Sequence, residues 1–481
     1  MVMGEFTQET ELLVVGGGPG GYAAAFRAAD LGLEVTLVEQ DPKPGGVCLH
    51  RGCIPSKSLL HLSEIMDDAG HAASMGVTFS RPSIDLERIR EWKNSVNDRL
   101  ADGLLDLCEK RGVQYLQGRA VFESPDHCRL SESQISHIKF KHAILCTGSR
   151  PSSLPHLEFG KEGRVMDSTL ALDLRDIPES LLVVGAGYVA LEMGSVYAAL
   201  GSKVTLIVHR ERMVRAADPD LTAPLKRRLG EIFHSIHFNT KVTSVREEKD
   251  HVEVTMEGEI EPSKQRFERI LVAVGRDPNS NDLGLENTQV RINKRGYVQV
   301  DEQQRTSDPR IFAVGDVVGG YMLAHKAMHE GKVAAEVIAG RPSAFDARAI
   351  PAIVYTNPQI AWCGLTEEQA RAEGRPIKVT RFPWKFSGRA LSMDAPLGLT
   401  KMIFDPDTQR ILGVGAVGRQ AEGLIAEAVL AVEMGALAED VALSVHAHPT
   451  LSETEGEVAD IFLGRATHVL PKKTQEMSSG D

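Results

Sequence analysis

Apolar and polar positions along the chain fall into two similar blocks and a third of different texture. Leu12 to Val15 form a short apolar run that ends in a glycine turn, Gly16-Gly17-Gly18-Pro19-Gly20-Gly21. An alanine-rich stretch then predicts a helix to Leu31-Gly32, followed by the apolar run Val35 to Val38 and by Glu39. The pattern returns 169 residues on: Leu181 to Val184, the turn Gly185-Ala186-Gly187-Tyr188-Val189-Ala190, a helix to Leu200-Gly201, and Val204 to Val208. Strand, glycine turn, helix, strand is the order that sets a pyrophosphate on a helix N-terminus. One glycine fingerprint is weak evidence, but two with their flanking elements in register are strong.

Two further strand-like segments end in glycine turns, Ala143 to Arg150 (through Thr147-Gly148) and Ile270 to Arg276 (through Gly275). Both read as places where the chain crosses between domains. Ile311 to Asp316 reads as another buried strand with a turn, and Ala324-His325-Lys326 opens an amphipathic helix. Its N-terminus suits negative charge on a reduced cofactor ring. From about Ala349 the texture changes: Pro351 to Trp362, Lys378 to Phe386 and Gly398 to Phe404 read as strands, Ala421 to Met434 and Ala438 to Leu443 as helices. The expected fold class is therefore α/β, two Rossmann-like dinucleotide-binding domains followed by an α+β domain without a nucleotide loop.

Size and charge narrow the function. A chain of 481 residues is long enough for about three domains. A formal net charge of -12 argues against nucleic acid and anionic membrane surfaces as partners. Residues 181–202 come closest to a membrane span, but Glu192 and several glycines place them in an α/β unit instead. The N-terminal stretch, Met1 to Glu11, lacks the basic and then apolar order of a signal peptide. A cytoplasmic, reducing setting is the expectation.

In that setting the spacing Cys48-Leu-His-Arg-Gly-Cys53, followed by Ile-Pro-Ser-Lys57, carries the most chemistry. A regular helix puts residues five apart about 140° around its axis and roughly 7.5 Å along it. A disulfide needs Cα atoms about 4.4–6.8 Å apart, so bridging requires a distortion, for which Gly52 supplies the freedom. A strained disulfide beside a cofactor in a reducing compartment points to catalysis. Cys108, Cys128, Cys146 and Cys363 show no metal-ligand spacing and read as buried, inert thiols; no metal site is expected.

The two glycine units differ where the ligand is chosen. Glu39 lies 23 residues after Gly16, where a carboxylate accepts hydrogen bonds from ribose hydroxyls. The same slot after Gly185 holds Val208, followed by His209, Arg210, Arg212 and Arg215, and Ala190 replaces the third glycine. Arginines there attract a 2′-phosphate, which leans the second site toward NADP(H). If they are only solvated surface, the site takes NAD(H).

With these residues in place, the chain resembles the flavin-dependent disulfide reductases, and within them the dihydrolipoamide dehydrogenase branch. The likeness runs in order through the first fingerprint, GGVCLHRGCIPSK at 45–57, the second fingerprint, Gly315-Asp316, and HAHPTLSE at 446–453. It implies an FAD-binding domain at 1–150, an NAD(P)-binding domain at 151–274, a second part of the FAD or central domain at 275–347, a dimerisation domain at 348–471 and a flexible tail at 472–481. It implies FAD held by Gly16, Gly18, Gly21, Glu39, Lys57, Thr147, Gly148, Asp316 and Ala324, with Lys57 and Glu192 paired beside the flavin. It implies NAD(P) held by Gly185, Gly187, Ala190, Glu192, Val208, His209, Arg210, Arg215 and Gly275.

By the same resemblance, Cys48 is the thiol that meets a dithiol substrate and Cys53 the one against the flavin. His448 is the base, oriented by Glu453, and it serves the opposite subunit of a homodimer. The expected substrate is free dihydrolipoamide or a lipoylated carrier protein. The residue types fit this independently, because the attacking species is a thiolate and histidine titrates near working pH. His446 reads as a packing or hydrogen-bonded residue. His50-Arg51 stands where Asn-Val is commoner, and a cationic pair there is expected to favour thiolate. A glutathione-reductase-type NADPH enzyme is the nearest alternative, and a carrier-bound electron-transfer subunit with little free turnover is the other. The absence of any cysteine after Cys363 argues against mercuric and large thioredoxin reductases.

Overall fold

A computed structural model describes residues 7–470 apart from 156, 158 and 160–162; the tail at 472–481 lies outside the described residues. The first sheet is built on Thr7–Val15, which pairs in parallel with Val35–Glu39 on one side and His137–Leu145 on the other. Gln114–Gln117 extends it beyond Val35–Glu39, and Ile311–Ala313 returns from far along the chain to pair in parallel with His137–Leu145. The second sheet is five-stranded and parallel, in the order Ser235–His237, Lys203–Ile207, Ser180–Val184, Arg269–Val272, Val165–Met166. Both repeats thus fold as strand, turn, helix, strand, with helices at Pro19–Asp30 and Tyr188–Leu200. The apolar runs of their central strands, Leu12 to Val15 and Leu181 to Val184, are buried, as strands covered on both faces require. Between the two sheets, Ser149–Pro151 pairs antiparallel with Arg276–Pro278.

The third sheet is antiparallel and differs from expectation in detail. Pro351 to Trp362 is not one strand but two, Ala352–Val354 and Gln359–Gly364, paired with each other across Asn357-Pro358. Lys378–Pro383 stops where Trp384–Phe386 turns into a 3-10 helix. The central strand, Ile411–Gly418, escaped the sequence reading because its glycines suggest a loop. They are there for close approach. A Cβ at Gly413 would lie 2.0 Å from the Leu365 carbonyl oxygen, and one at Gly415 would lie 2.5 Å from Leu221 of the second unit.

That second contact marks a seam closed by charge. Lys401, 1% exposed, donates to Asp218 at 2.6 Å, Asp220 at 2.9 Å and Glu367 at 2.7 Å. Asp218 precedes the helix Pro219–Ile232 of the second unit, whereas Lys401 and Glu367 belong to the C-terminal domain. Burial opposes the charge on Lys401, but its carboxylate partners outweigh this and hold its pKa above the usual lysine range. Lys401→Met leaves buried Asp218 without its cation, while Arg381 still pairs with Asp220 and Glu367. It is expected to cost about 3–5 kcal/mol of stability, read from the shift of the denaturant midpoint.

Candidate active site

The glycine turn of the first unit works by exclusion of side chains. Gly16 has φ +106°, and a Cβ on Gly21 would sit 1.8 Å from the Gly16 carbonyl oxygen. Helix Pro19–Asp30 therefore starts flush against the turn. Glu39, at the end of the next strand, accepts from the Gly17 N–H at 2.6 Å through one carboxylate oxygen and from the Gln40 N–H at 2.6 Å through the other. Gly46 closes the cradle from the far side, where a Cβ would meet the Gly18 Cα at 2.6 Å.

From this cradle a cleft of about 680 Å³ runs past Cys48 and Cys53 to Lys57 and Glu192. Gly16, Gly18, Glu39, Lys57, Thr147, Gly148, Asp316 and Ala324 line it, so eight of the nine expected flavin ligands converge, while Gly21 is packed just behind. A bare-backbone turn at a helix N-terminus, with a carboxylate at the strand end, is the donor set a dinucleotide needs, so the residues fit FAD. Asp316 accepts from Ser149 Oγ at 2.5 Å. Its turn is anchored by buried Glu330, which accepts from the Gly315 N–H at 2.8 Å and pairs with Lys326 at 2.5 Å. Neither Ser149 nor Glu330 was singled out from the sequence. Ser149 follows the glycine turn that was read, but Glu330 looks like any polar helix position.

The cysteines meet across a broken helix. Cys48 lies on Gly46–Arg51, Cys53 begins Cys53–His71, and Gly52 between them has φ -152° and ψ -111°. A Cβ at Gly52 would come within 2.9 Å of the Val47 carbonyl oxygen, so only glycine allows this approach. A hydrogen bond between the two thiols pushes Cys48 up and lowers Cys53 to about 7; burial opposes the second effect and Lys57 reinforces it. Lys57 Nζ lies 2.8 Å from Glu192 Oε2 and over the Tyr355 ring at 4.5 Å.

The expected influence of His50-Arg51 is overturned. Arg51 is held bidentate by Asp41 at 2.9 and 2.6 Å, and His50 Nε2 faces the carbonyls of Lys43 and Pro44. Arg51 is neutralised locally and His50 points to backbone, so the cation acting on the thiols is Lys57. Cys108, Cys128, Cys146 and Cys363 are all buried, and burial raises each of them.

The second glycine turn is similar but looser. A Cβ on Gly185 would strike the Ala273 carbonyl oxygen at 2.2 Å, yet it would stand 3.4 Å from the Ala190 Cβ, so the third position accepts alanine. Gly187 opens to free space and Gly275 has φ +150°. The Gly185 N–H donates to Ile207 as Gly16 donates to Val38, which makes Val208 the positional counterpart of Glu39. Val208 is fully buried in the apolar core, so its side chain does not reach the ligand surface. His209, Arg210 and Arg215 are exposed beyond it, whereas Arg212 is paired with Glu368 at 2.5 Å. Glu192, expected with the nicotinamide set, belongs to the cysteine cleft, as does Tyr188 at the start of the same helix.

The last pair stands apart. His448 Nδ1 lies 2.8 Å from Glu453 Oε1, and the other carboxylate oxygen accepts from the Thr450 N–H at 2.8 Å. Burial raises Glu453, but Thr450 and His448 outweigh it and keep the carboxyl below its usual range. Among the described residues lining the cysteine cleft, none follows Ala327 in sequence. The His448 side chain is 74% exposed, and Leu430, Met434, Leu443 and Val445 of the same domain are exposed too.

The pyridine nucleotide-disulphide oxidoreductase model matches residues 10–331, and the dimerisation-domain model of the same family matches 350–459. Dihydrolipoyl dehydrogenase of Vibrio parahaemolyticus is 44% identical over 467 residues, 97% of this chain and 98% of the relative. Dihydrolipoyl dehydrogenase of Geobacillus stearothermophilus is 42% identical over 473 residues, 98% of this chain and 100% of the relative. Among solved structures, LpdA from Mycobacterium tuberculosis superposes with a TM-score of 0.87 at 25% identity, covering 94% of this chain and 99% of its own. The HOCl-induced flavoprotein disulfide reductase RclA from Escherichia coli gives 0.83 at 26% identity over the same shares.

Alkylation tests the thiol geometry. In the reduced FAD-loaded protein, iodoacetamide labelling of Cys53, followed by mass spectrometry, is expected to rise with pH around a midpoint of about 7, since only thiolate reacts. A midpoint at the free-cysteine value of about 8.5 would remove the Cys48–Cys53–Lys57 account.

Proposed function

Because the chain belongs to the pyridine nucleotide-disulphide oxidoreductase family, we propose that it oxidises a dihydrolipoyl dithiol through Cys48 and Cys53 and passes the electrons through FAD to NAD(P)⁺. The observation that carries this is the convergence of both cysteines, Lys57 and Glu192 on the cleft that holds the flavin cradle. The proposed division is an FAD-binding domain at 1–150, an NAD(P)-binding domain at 151–274, a central part at 275–347 and a dimerisation domain at 348–471.

His448, held by Glu453, takes a proton from one substrate thiol. The resulting thiolate attacks Cys48 Sγ, the Cys48–Cys53 bond breaks, and Cys53 leaves as thiolate, stabilised by Lys57. The second substrate thiol then attacks the sulfur bonded to Cys48, and its proton passes to the departing Cys48 sulfur. The lipoyl ring closes and Cys48 is released reduced. The substrate has lost two electrons and two protons, and the cysteine pair has gained the electrons. Bound FAD supplies the two-electron link between the thiols and the nicotinamide. Neither His448 nor Glu453 lines its own chain's cleft, which supports a homodimer in which each chain completes the other's site. Among the described residues, no helix is long and apolar enough to cross a membrane; a cytoplasmic setting remains our reading from the redox chemistry.

Exposed His209, Arg210 and Arg215 beside buried Val208 support a preference for NADP(H). Val208→Glu is a poor test, since it would bury a charge. Arg210→Ala or Arg215→Ala is the cleaner one. If either arginine makes a charge-assisted bond to a 2′-phosphate, kcat/KM for NADP⁺ falls about 10–100-fold while that for NAD⁺ holds. Equal small changes with both nucleotides would return the site to NAD(H).

For the reaction itself, the test is dihydrolipoamide oxidation by the purified yellow protein. Cys48→Ser is expected to keep FAD and lose turnover, and His448→Gln to lose about 10²–10⁴-fold in kcat/KM. Full activity in Cys48→Ser would sink the disulfide mechanism. Faster turnover of glutathione disulfide with NADPH than of lipoamide would move the chain to the glutathione-reductase branch.

A further inference from the structure

Helix Glu453–Leu463 carries a second carboxylate, Glu455, two residues beyond the dyad. Glu455 is 1% exposed, and among the described residues no donor reaches either of its carboxylate oxygens as an anion. It is aimed at two other potential ligands. The carboxylates of Glu427 and Glu455 and the His446 ring bring one donor atom each within 4.8 Å of one another. His446 Nε2 lies 2.8 Å from Glu427 Oε1. The ring is seated against the helix backbone, where a Cβ at Gly456 would come within 3.1 Å of Nδ1.

Two carboxylates and one imidazole therefore share a mostly buried corner. Among the described residues, no lysine or arginine forms an ion pair with Glu427 or Glu455, whose only such contact is Glu427 with His446. The contrast with Asp218, Asp220 and Glu367 is instructive. Those acids also converge, but Lys401 occupies their centre. A buried carboxylate without a partner is not stable as an anion, so either a proton or a cation must balance it. Burial, with Glu427 beside it, pushes Glu455 well above the usual carboxylate range.

We propose that Glu427, His446 and Glu455 form a divalent-cation site suited to Zn²⁺, completed by water. One nitrogen and two anionic oxygens are a donor set zinc favours, and they cancel its charge. Zinc bonds of about 2.0–2.2 Å place neighbouring donors about 3.3 Å apart. The His446–Glu427 contact then opens slightly while the wider separations close, a movement available to Glu427 on the helix Ile425–Met434, since its side chain is 38% exposed. The ion would tie that helix to both ends of the segment bearing the dyad: His446 precedes His448 by two residues, and Glu455 follows Glu453 by two. Its part is to position the segment, not to touch substrate.

The test uses the FAD-loaded protein, air-oxidised so that Cys48 and Cys53 do not compete for metal. It is stripped with chelator, dialysed against Zn²⁺ and assayed by elemental analysis. The wild type is expected to retain about one Zn²⁺ per chain, and Glu455→Gln to lose it. Glu427→Gln, altered at the more exposed ligand, gives the same reading if Glu455→Gln does not fold. Equal zinc in wild type and variants, or none in the wild type, overturns the site. A protonated-carboxyl infrared band lost in Glu455→Gln, with no zinc bound by the wild type, would assign the corner to a proton shared by Glu427 and Glu455.

Discussion

Glu192 is where three parts of the chain meet. Its side chain is 2% exposed, on the fingerprint helix of the second unit. One oxygen takes Lys57 from the cysteine helix at 2.8 Å, and the other takes the Tyr355 N–H of the C-terminal domain at 3.0 Å. A buried carboxylate is stable only when it is paired and hydrogen-bonded. Glu192 therefore constrains all three partners at once. Lys57 is fixed as the local cation, the second unit is set against the first, and the sheet beginning at Ala352 is docked onto both. Replacing Glu192 would leave Lys57 free to turn to solvent, and the electrostatics around Cys53 would change with it.

Lys57 matters because, among the described residues, it is the cation that acts on both thiols. The chain supplies Arg51 closer in sequence, but Asp41 has claimed it. What makes Cys53 the thiolate of the pair is geometry: the break at Gly52 lets the Cys48 thiol donate to it, and one helical turn later Lys57 faces it. The helix break that allows the two sulfurs to meet thus also decides which of them carries the charge. That asymmetry is what a disulfide exchanged at one sulfur and relayed through the other requires.

Much of this could be read without coordinates, and the reasons are physical. Glycine turns are legible because a carbonyl oxygen 1.8 Å from a would-be Cβ, as at Gly21, tolerates no alternative. The cysteine spacing is legible because the distortion it demands has few causes. The strand Ile411–Gly418 was missed because the same glycine logic operates there in a different cause, sheet-to-loop and sheet-to-helix contact, which sequence cannot distinguish from a flexible loop. The influence assigned to His50-Arg51 failed because charge reads from sequence as though it were free, and its partner lay at Asp41 outside the motif. Glu330 and Ser149 were invisible for a related reason: each acts through a neighbour brought close only by folding.

The dyad shows the limit of a single chain most clearly. A general base works best where water is excluded and its partner is fixed. His448 has the second condition, through Glu453 and the Thr450 N–H behind it, but not the first, since its side chain is 74% exposed. The surrounding face is apolar, with Val445 99% exposed and Leu443 67% exposed within five residues of it. Exposed apolar groups around the base proposed here are costly in water and useful under a partner. In the proposed homodimer, a second copy docked through the dimerisation domain would desolvate the imidazole and cover Leu443 and Val445 in the same step. Catalytic competence and dimer stability would then rest on one surface, so loss of dimerisation should remove the base without disturbing either cysteine.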